Sequence, residues 1–155
     1  MSKLEIRAGR SQDIPAILHC LHEAFAPYKD QYTPAAFEDT VLDASRLEKR
    51  MEAMHVIVAI VNGQLVGTVS GTGSGDGEGH LRGMAVLPAQ RGTGVAQELL
   101  SAIEKWLRGS GCARVTLDTT LPLLPAMRFY EKNGYRKSRV TDFFGMELIE
   151  YEKTL

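Results

Sequence analysis

Arg91-Gly92-Thr93-Gly94-Val95-Ala96 is the stretch of this chain best equipped to hold a ligand. It follows an apolar segment at residues 81–87, broken by Pro88, and runs into an amphipathic helix expected over residues 95–108. The first N–H groups of a helix have no intrahelical partner, and the helix dipole concentrates partial positive charge there. Gly92 and Gly94 carry no Cβ, so a phosphate can approach the backbone closely. Glycines ahead of a helix also turn chains that bind nothing, so the context decides. A Walker loop requires a lysine after its last glycine, and none follows Gly94. A dinucleotide fingerprint requires a third glycine where this chain has Gln97. The anion chemistry is present, and neither familiar nucleotide loop explains it.

The pattern that the loop does satisfy is Arg/Gln-x-x-Gly-x-Gly/Ala, read as Arg91 through Ala96. It resembles the acyl-CoA pyrophosphate loop of the GCN5-related N-acetyltransferase (GNAT) family. Residues 81–88 are similar to that family's fourth strand, which leads into the loop. Residues 125–135, Pro-Ala-Met-Arg-Phe-Tyr-Glu-Lys-Asn-Gly-Tyr, resemble its second signature, Ala-x-x-Phe-Tyr-x-x-x-Gly-Phe/Tyr on a helix. Two signatures in the right order are far more specific than either alone. The resemblance runs from about residue 54 to 138 and is compatible at both ends. It implies an α/β fold in a single domain over 1–155: a mixed central sheet flanked by helices, with an antiparallel N-terminal meander and a splayed parallel pair in the middle.

Acetyl transfer from a thioester to an amine needs a held donor, a neutral amine, a stabilised oxyanion and a protonated leaving thiolate. The resemblance assigns the pyrophosphate to the N–H groups of Arg91, Gly92, Thr93, Gly94, Val95 and Ala96. It assigns pantetheine to the main chain of Met84, Ala85 and Val86, where an N–H can also face the oxyanion. Tyr130 matches the family tyrosine whose hydroxyl lies near the coenzyme sulfur. A thiol titrates near ~8.5 and a tyrosine near ~10, so full proton transfer is uphill by about 2 kcal/mol. Donating a hydrogen bond as the C–S bond breaks is the more economical role. A lysine-like acceptor pays about 4.6 kcal/mol to become neutral at pH 7, whereas an α-amine pays only about 1–1.4 kcal/mol. The candidate bases are Glu78 and His80, the titratable groups nearest the fourth strand, with Asp118 at the end of the next strand. Family analogy places Tyr28, Tyr32 and Phe37 on the acceptor wall. One departure stands out: Leu123 occupies the position where many members carry a coenzyme-positioning asparagine.

The elements that must position these residues follow from periodicity and turn chemistry. Residues 4–7 read as a short strand, and residues 14–25 as a helix with Ile14, Ile17, Leu18, Leu21 and Phe25 on one face. Two helical stretches, broken near Thr40, carry the chain to residue 51. Residues 55–61 and 64–70 are strands joined at Asn62-Gly63, a strong two-residue hairpin signal. Residues 71–79, five glycines in nine, read as a flexible tip leading into the strand at 81–87. In the helix at 95–108, Val95, Leu99, Leu100, Ile103, Trp106 and Leu107 form the apolar face and Glu104 belongs to the polar one. A strand at 114–119 then implies a parallel pair with a right-handed crossover, and ligands bind beyond the carboxyl ends of such strands. A helix over 124–133 and strands at 135–141 and 146–154 complete the chain.

Composition sets the outer bounds. At 155 residues, 44% hydrophobic and 24% charged, the chain suits one soluble domain with a sizeable core. A net charge of −1 gives no support for nucleic-acid binding through a basic surface. No apolar run approaches a membrane span, and no secretory segment opens the chain. Cys20 and Cys112 lack metal-ligand spacing and read as buried free thiols in a reducing cytoplasm. The expected activity is transfer of acetyl from acetyl-CoA, a co-substrate, to a small-molecule or amino-acid-like primary amine, with no metal, nucleic-acid or membrane partner. Acetylation of a protein N-terminus or lysine, and a non-catalytic acyl-CoA sensor, are the alternatives. Family analogy adds a homodimer formed through the last strands.

Overall fold

A computed structural model describes residues 3–155. The described residues form one seven-stranded sheet and five α-helices. The strands are β1 (Leu4–Ala8), β2 (His55–Val61), β3 (Gln64–Gly73), β4 (Glu78–Val86), β5 (Arg114–Thr120), β6 (Arg136–Phe143) and β7 (Met146–Thr154), in spatial order β1-β2-β3-β4-β5-β7-β6. Every neighbouring pair is antiparallel except β4 and β5. The helices are α1 (Ile14–Phe25), α2 (Pro34–Thr40), α3 (Ala44–Ala53), α4 (Val95–Gly109) and α5 (Leu124–Lys132). This is the mixed α/β sheet expected above, with its parallel pair at the centre.

Local chemistry accounts for the boundaries. Asn62 and Gly63 both take positive φ, as the tight β2–β3 hairpin requires. Thr33 and Asp43 cap α2 and α3 by accepting from the backbone N–H groups of Ala36 and Arg46. Among the described residues no helix is long and apolar enough to cross a membrane. Cys20 and Cys112 are free and buried, and burial pushes the Cys20 thiol up to about 12.

Helix α4 lies on one face of the sheet, while α1 and α3 pack on the other, where Thr72 Oγ1 donates to Ala53 O. The close seat of α4 corrects the reading of the glycine-rich stretch. Strand β3 continues to Gly73 and β4 starts at Glu78, so only residues 74–77 form the tip. Gly67, Gly71 and Gly79 lie beneath successive turns of α4. A Cβ there would come within 2.8 Å of Leu99, 2.8 Å of Ile103 and 3.0 Å of Leu107. These glycines make room for a helix, and only the short remainder turns the chain.

Two assignments within α4 also change. Glu104 is buried, accepting from Tyr135 Oη at 2.7 Å and Lys153 Nζ at 3.0 Å. The polar flank of the helix is covered by the turn after α5 and by β7, so a residue that helical spacing puts in water lies beneath them. Trp106 is 37% exposed and stacks on His55 with centroids 4.4 Å apart. It sits at the margin of the apolar stripe and covers the seam with β2.

Candidate active site

Strands β4 and β5 pair only from Glu78↔Arg114 to Leu81↔Leu117. Beyond that point β4 continues against β3 and β5 continues against β7, and the two diverge. The facing edges of residues 82–86 and 118–120 therefore have no ladder partner across the gap. A pocket of about 950 Å³ fills this wedge. Its wall runs from the Arg91–Ala96 loop, past Met84, Ala85 and Val86, to Tyr28 and Tyr32 on the far side.

The loop end is built for an anion. Gly94 is the N-cap of α4 with φ 90° and ψ 0°, and no side chain caps the helix. Gly92 has φ +77°, and a Cβ at either glycine would meet nothing within 4 Å. The space above the loop is open, and the first N–H groups of α4 face it unsatisfied. Arg91, Gly92, Gly94 and Ala96 line the pocket. Val95 instead turns its side chain into the core, and Thr93 Oγ1 donates back to Gln90 O. Arg91 Nη2 donates to Ala24 O at 3.3 Å, tying the loop to the end of α1.

The middle of the wedge carries a bulge. Thr68 pairs with Ala85 and Ser70 with Arg82, so Gly83 and Met84 together oppose Val69. Gly83 takes φ +66°, which re-aims the strand at the mouth of the divergence. Opposite lies Thr119, whose Oγ1 is buried and has no hydrogen-bond partner among the described residues. An unsatisfied donor and a free main-chain edge suit the amide groups of a pantetheine arm. The observed site therefore fits coenzyme A at both its phosphate and its amide sections.

Tyr130 lines the same pocket from α5, packed edge-on to Phe129 and Tyr135 with centroids 5.5 and 5.8 Å away. Burial raises its phenol above the ordinary range. Tyr135, beneath it, is spent on Glu104. Leu123 forms the N-terminal boundary of α5 and lines the pocket, and no side chain caps that helix.

His80 and Asp118 meet on the wall of the same pocket. His80 Nδ1 and Thr116 Oγ1 share a hydrogen bond of 2.8 Å, and Nε2 lies 3.6 Å from Asp118 Oδ2. Both side chains are 32% exposed. Burial lowers the His80 pKa below its ordinary value, against the opposing pull of Asp118. Burial likewise raises Asp118, against the charge of His80. The imidazole is thus neutral at pH 7 and can accept a proton. Glu78 lies at the far end of β4, bound to the Arg114 guanidinium at 2.5 Å, outside the pocket wall. Tyr32 shares a 2.5 Å hydrogen bond with Thr120, and Phe37 stands edge-on behind Tyr32 at 6.0 Å.

Three charged residues of the pocket wall escaped the sequence reading: Arg50, Arg82 and Asp39. Arg82 Nη2 donates to Asp39 Oδ2 at 2.9 Å, and the Arg50 guanidinium rests against Gly83. The available signal was Gly83 itself, because a glycine inside a strand marks a bulge or a close approach.

Comparison with known proteins agrees with this geometry. The sequence model of the acetyltransferase (GNAT) family matches residues 16–135. An aminoalkylphosphonate N-acetyltransferase of Salmonella typhimurium is 27% identical over 143 residues, covering 89% of this chain and 88% of that protein. The crystal structure of PaiA N-acetyltransferase from Thermoplasma acidophilum, in complex with coenzyme A, has a TM-score of 0.82 at 19% identity, covering 99% of both chains. A ribosomal-protein-alanine N-acetyltransferase from Brucella melitensis has a TM-score of 0.76 at 22% identity, covering 97% of this chain and 99% of its own.

Proposed function

The chain belongs to the GNAT family of N-acetyltransferases, and from that premise we propose that it transfers acetyl from acetyl-CoA to the primary amine of a small, amino-acid-like acceptor. Attack is direct, within a ternary complex. The observation that carries this reading is the single wedge between β4 and β5. An anion-binding helix N-terminus lies at one end and a neutral histidine lines the same pocket. The likeness to a relative named for aminoalkylphosphonates supports a small acceptor.

The loop N–H groups of Gly92, Gly94 and Ala96 hold the pyrophosphate, and the free edge at Met84, Ala85 and Val86 pairs with the pantetheine amides. A main-chain N–H beside the Gly83 bulge faces the oxyanion that develops on the thioester carbonyl. His80 takes the proton released as the N–C bond forms, directly or through one water, and Asp118 stabilises the imidazolium. As the C–S bond breaks, the Tyr130 hydroxyl donates a hydrogen bond to the departing sulfur. Its raised pKa makes full early proton transfer still less favourable than for a free tyrosine. Tyr28 and Tyr32 form the acceptor wall. Buried free thiols support a cytoplasmic setting, and the exposed outer strand β6 supports pairing with a second copy. Sedimentation at the monomer mass at all concentrations would remove that pairing.

Calorimetric titration with acetyl-CoA, beside ATP and NAD, tests the donor site. Selective binding of the coenzyme is expected, with a loss of at least about 10-fold in Gly94→Glu from a carboxylate placed against the phosphates. Open space at Gly94 accommodates the side chain, at the cost of a strained φ. Release of CoA that depends on a small amine supports catalysis. Binding without any amine-dependent release points instead to a sensor, and preferred turnover of peptide N-termini or lysines overturns the acceptor class.

A further inference from the structure

We propose that the acceptor carries an anionic group, a carboxylate or a phosphonate, near its amine, and that Arg50 with Arg82 binds that group; this rests on the acetyltransferase reading above. Arg50 lies in the last turn of α3 and lines the pocket. Among the described residues its guanidinium has neither a carboxylate within ion-pair distance nor a hydrogen-bond acceptor. Five N–H donors are thus left for something that enters the pocket. Burial pushes its pKa down to about 10, which still leaves it a full cation at neutral pH. Burying a cation without a counter-ion is costly, and an anionic ligand removes that cost.

The placement of Arg50 has a specific structural support. Its Nη1 would sit 2.6 Å from a Cβ on Gly83, so the missing side chain at the bulge is what admits the guanidinium. An anion held there lies beside the part of β4 proposed to face the reacting carbonyl. Arg82 stands on the same strand face as His80, two residues on. It shares its charge with Asp39 through a half-exposed pair. Its field acts on Arg50, His80 and Asp118 alike, so these groups form one electrostatic neighbourhood. Of the other cations on the wall, Arg91 belongs to the pyrophosphate loop and Lys132 to the last turn of α5. The arrangement is bipolar: uncompensated positive charge beside the bulge, and a neutral imidazole with a carboxylate farther down the strand. A dipolar amine matches both ends. A neutral amine leaves Arg50 unanswered, and a second cationic group would be repelled.

The test measures acetyl-CoA-dependent CoA release with matched amines: 2-aminoethylphosphonate and β-alanine against ethanolamine and propylamine. In the wild-type protein the better anionic amine exceeds the neutral pair in kcat/KM by at least about 30-fold, the range of a charge-assisted hydrogen-bond set. The phosphonate and carboxylate arms separate the two sources of the anion. Arg50→Met collapses the anionic-to-neutral ratio to within about threefold of unity, mainly through KM, and Arg50→Lys recovers part of it. Calorimetric acetyl-CoA binding reports that each variant is folded. If Arg50→Met does not fold, Arg82→Met, at a half-exposed position, must lower the same ratio by about 5-fold. A wild-type ratio near one, or a ratio that survives the substitutions, overturns the proposal while leaving the transferase intact. If no amine of either kind releases CoA, the acetyltransferase reading falls and this inference falls with it.

Discussion

At the scale of single residues, two titratable groups of the wedge, Tyr130 and His80, sit in environments that act differently. Tyr130 is buried among aromatic rings, which raises its phenol and keeps the hydroxyl protonated across the working range. Its hydroxyl makes no side-chain hydrogen bond among the described residues, so Tyr130→Phe should leave the unfolding midpoint nearly unchanged. The same variant is expected to lose about 10- to 100-fold in kcat, the worth of one hydrogen bond to a developing charge. Acetyl-CoA affinity should not follow. His80 is also shifted by burial, in this case downward, so the neutral base persists below pH 6.5. Activity should therefore fall on acidification only when pH drops through that lowered pKa. The measurement is kcat/KM against pH for wild type and His80→Asn. The wild type should show a limb below pH 6.5 that the variant lacks, with about 100-fold lower activity in the variant at neutral pH. A limb from protonation of the acceptor itself will be common to both.

At the scale of elements, α4 couples the core to the loop. Its N-terminus faces the pocket while Leu99, Ile103 and Leu107 rest on Gly67, Gly71 and Gly79. Adding one methyl at Gly71 must displace Ile103, because the new Cβ would stand 2.8 Å from it. Gly71→Ala is expected to cost about 1–3 kcal/mol by overpacking, seen as a lower urea midpoint at constant slope. Acetyl-CoA affinity should weaken as well, because a lifted helix carries Gly94 and its N–H groups with it. This coupling also marks what could be read in the chain. The loop, the α4 leucines and the Asn62-Gly63 turn are local patterns, and local patterns survive in a linear sequence. The glycines of β3 and β4 looked like a flexible tip because their reason is a helix some 30 residues away. Glu104 misled for the same cause, since the cover that buries it comes from β7. Arg50 and Asp39 were invisible because α2 and α3 acquire their site only when packed over the bulge.

At the scale of the molecule, the parallel pair is where the sheet spends the least of its own hydrogen bonding. Only four residue pairs join β4 to β5, against seven between β5 and β7, so the two halves of the sheet are held together weakly at the centre. Whatever fills the wedge contacts both sides. In the proposed complex the coenzyme pairs with the free edge of β4, approaches Thr119 on β5 and rests on the start of α4. A ligand of this kind binds the folded chain and has no site in the unfolded one. Saturation should then raise stability by RT ln(1 + [L]/Kd), about 2.7 kcal/mol at a hundredfold excess over Kd. For a domain of this size that corresponds to roughly 5–10 °C in Tm. Scanning calorimetry with acetyl-CoA should show this shift growing with the logarithm of concentration, and ATP or NAD at equal concentration should not reproduce it. The halves should also become harder to separate locally. Amide exchange of Met84 through Val86 and of Asp118 through Thr120 is expected to slow on binding, because these groups exchange an open edge for a partner. Protection confined to the loop would mean that the phosphates are held while the arm stays outside the wedge, and the pairing assigned to β4 would then be wrong.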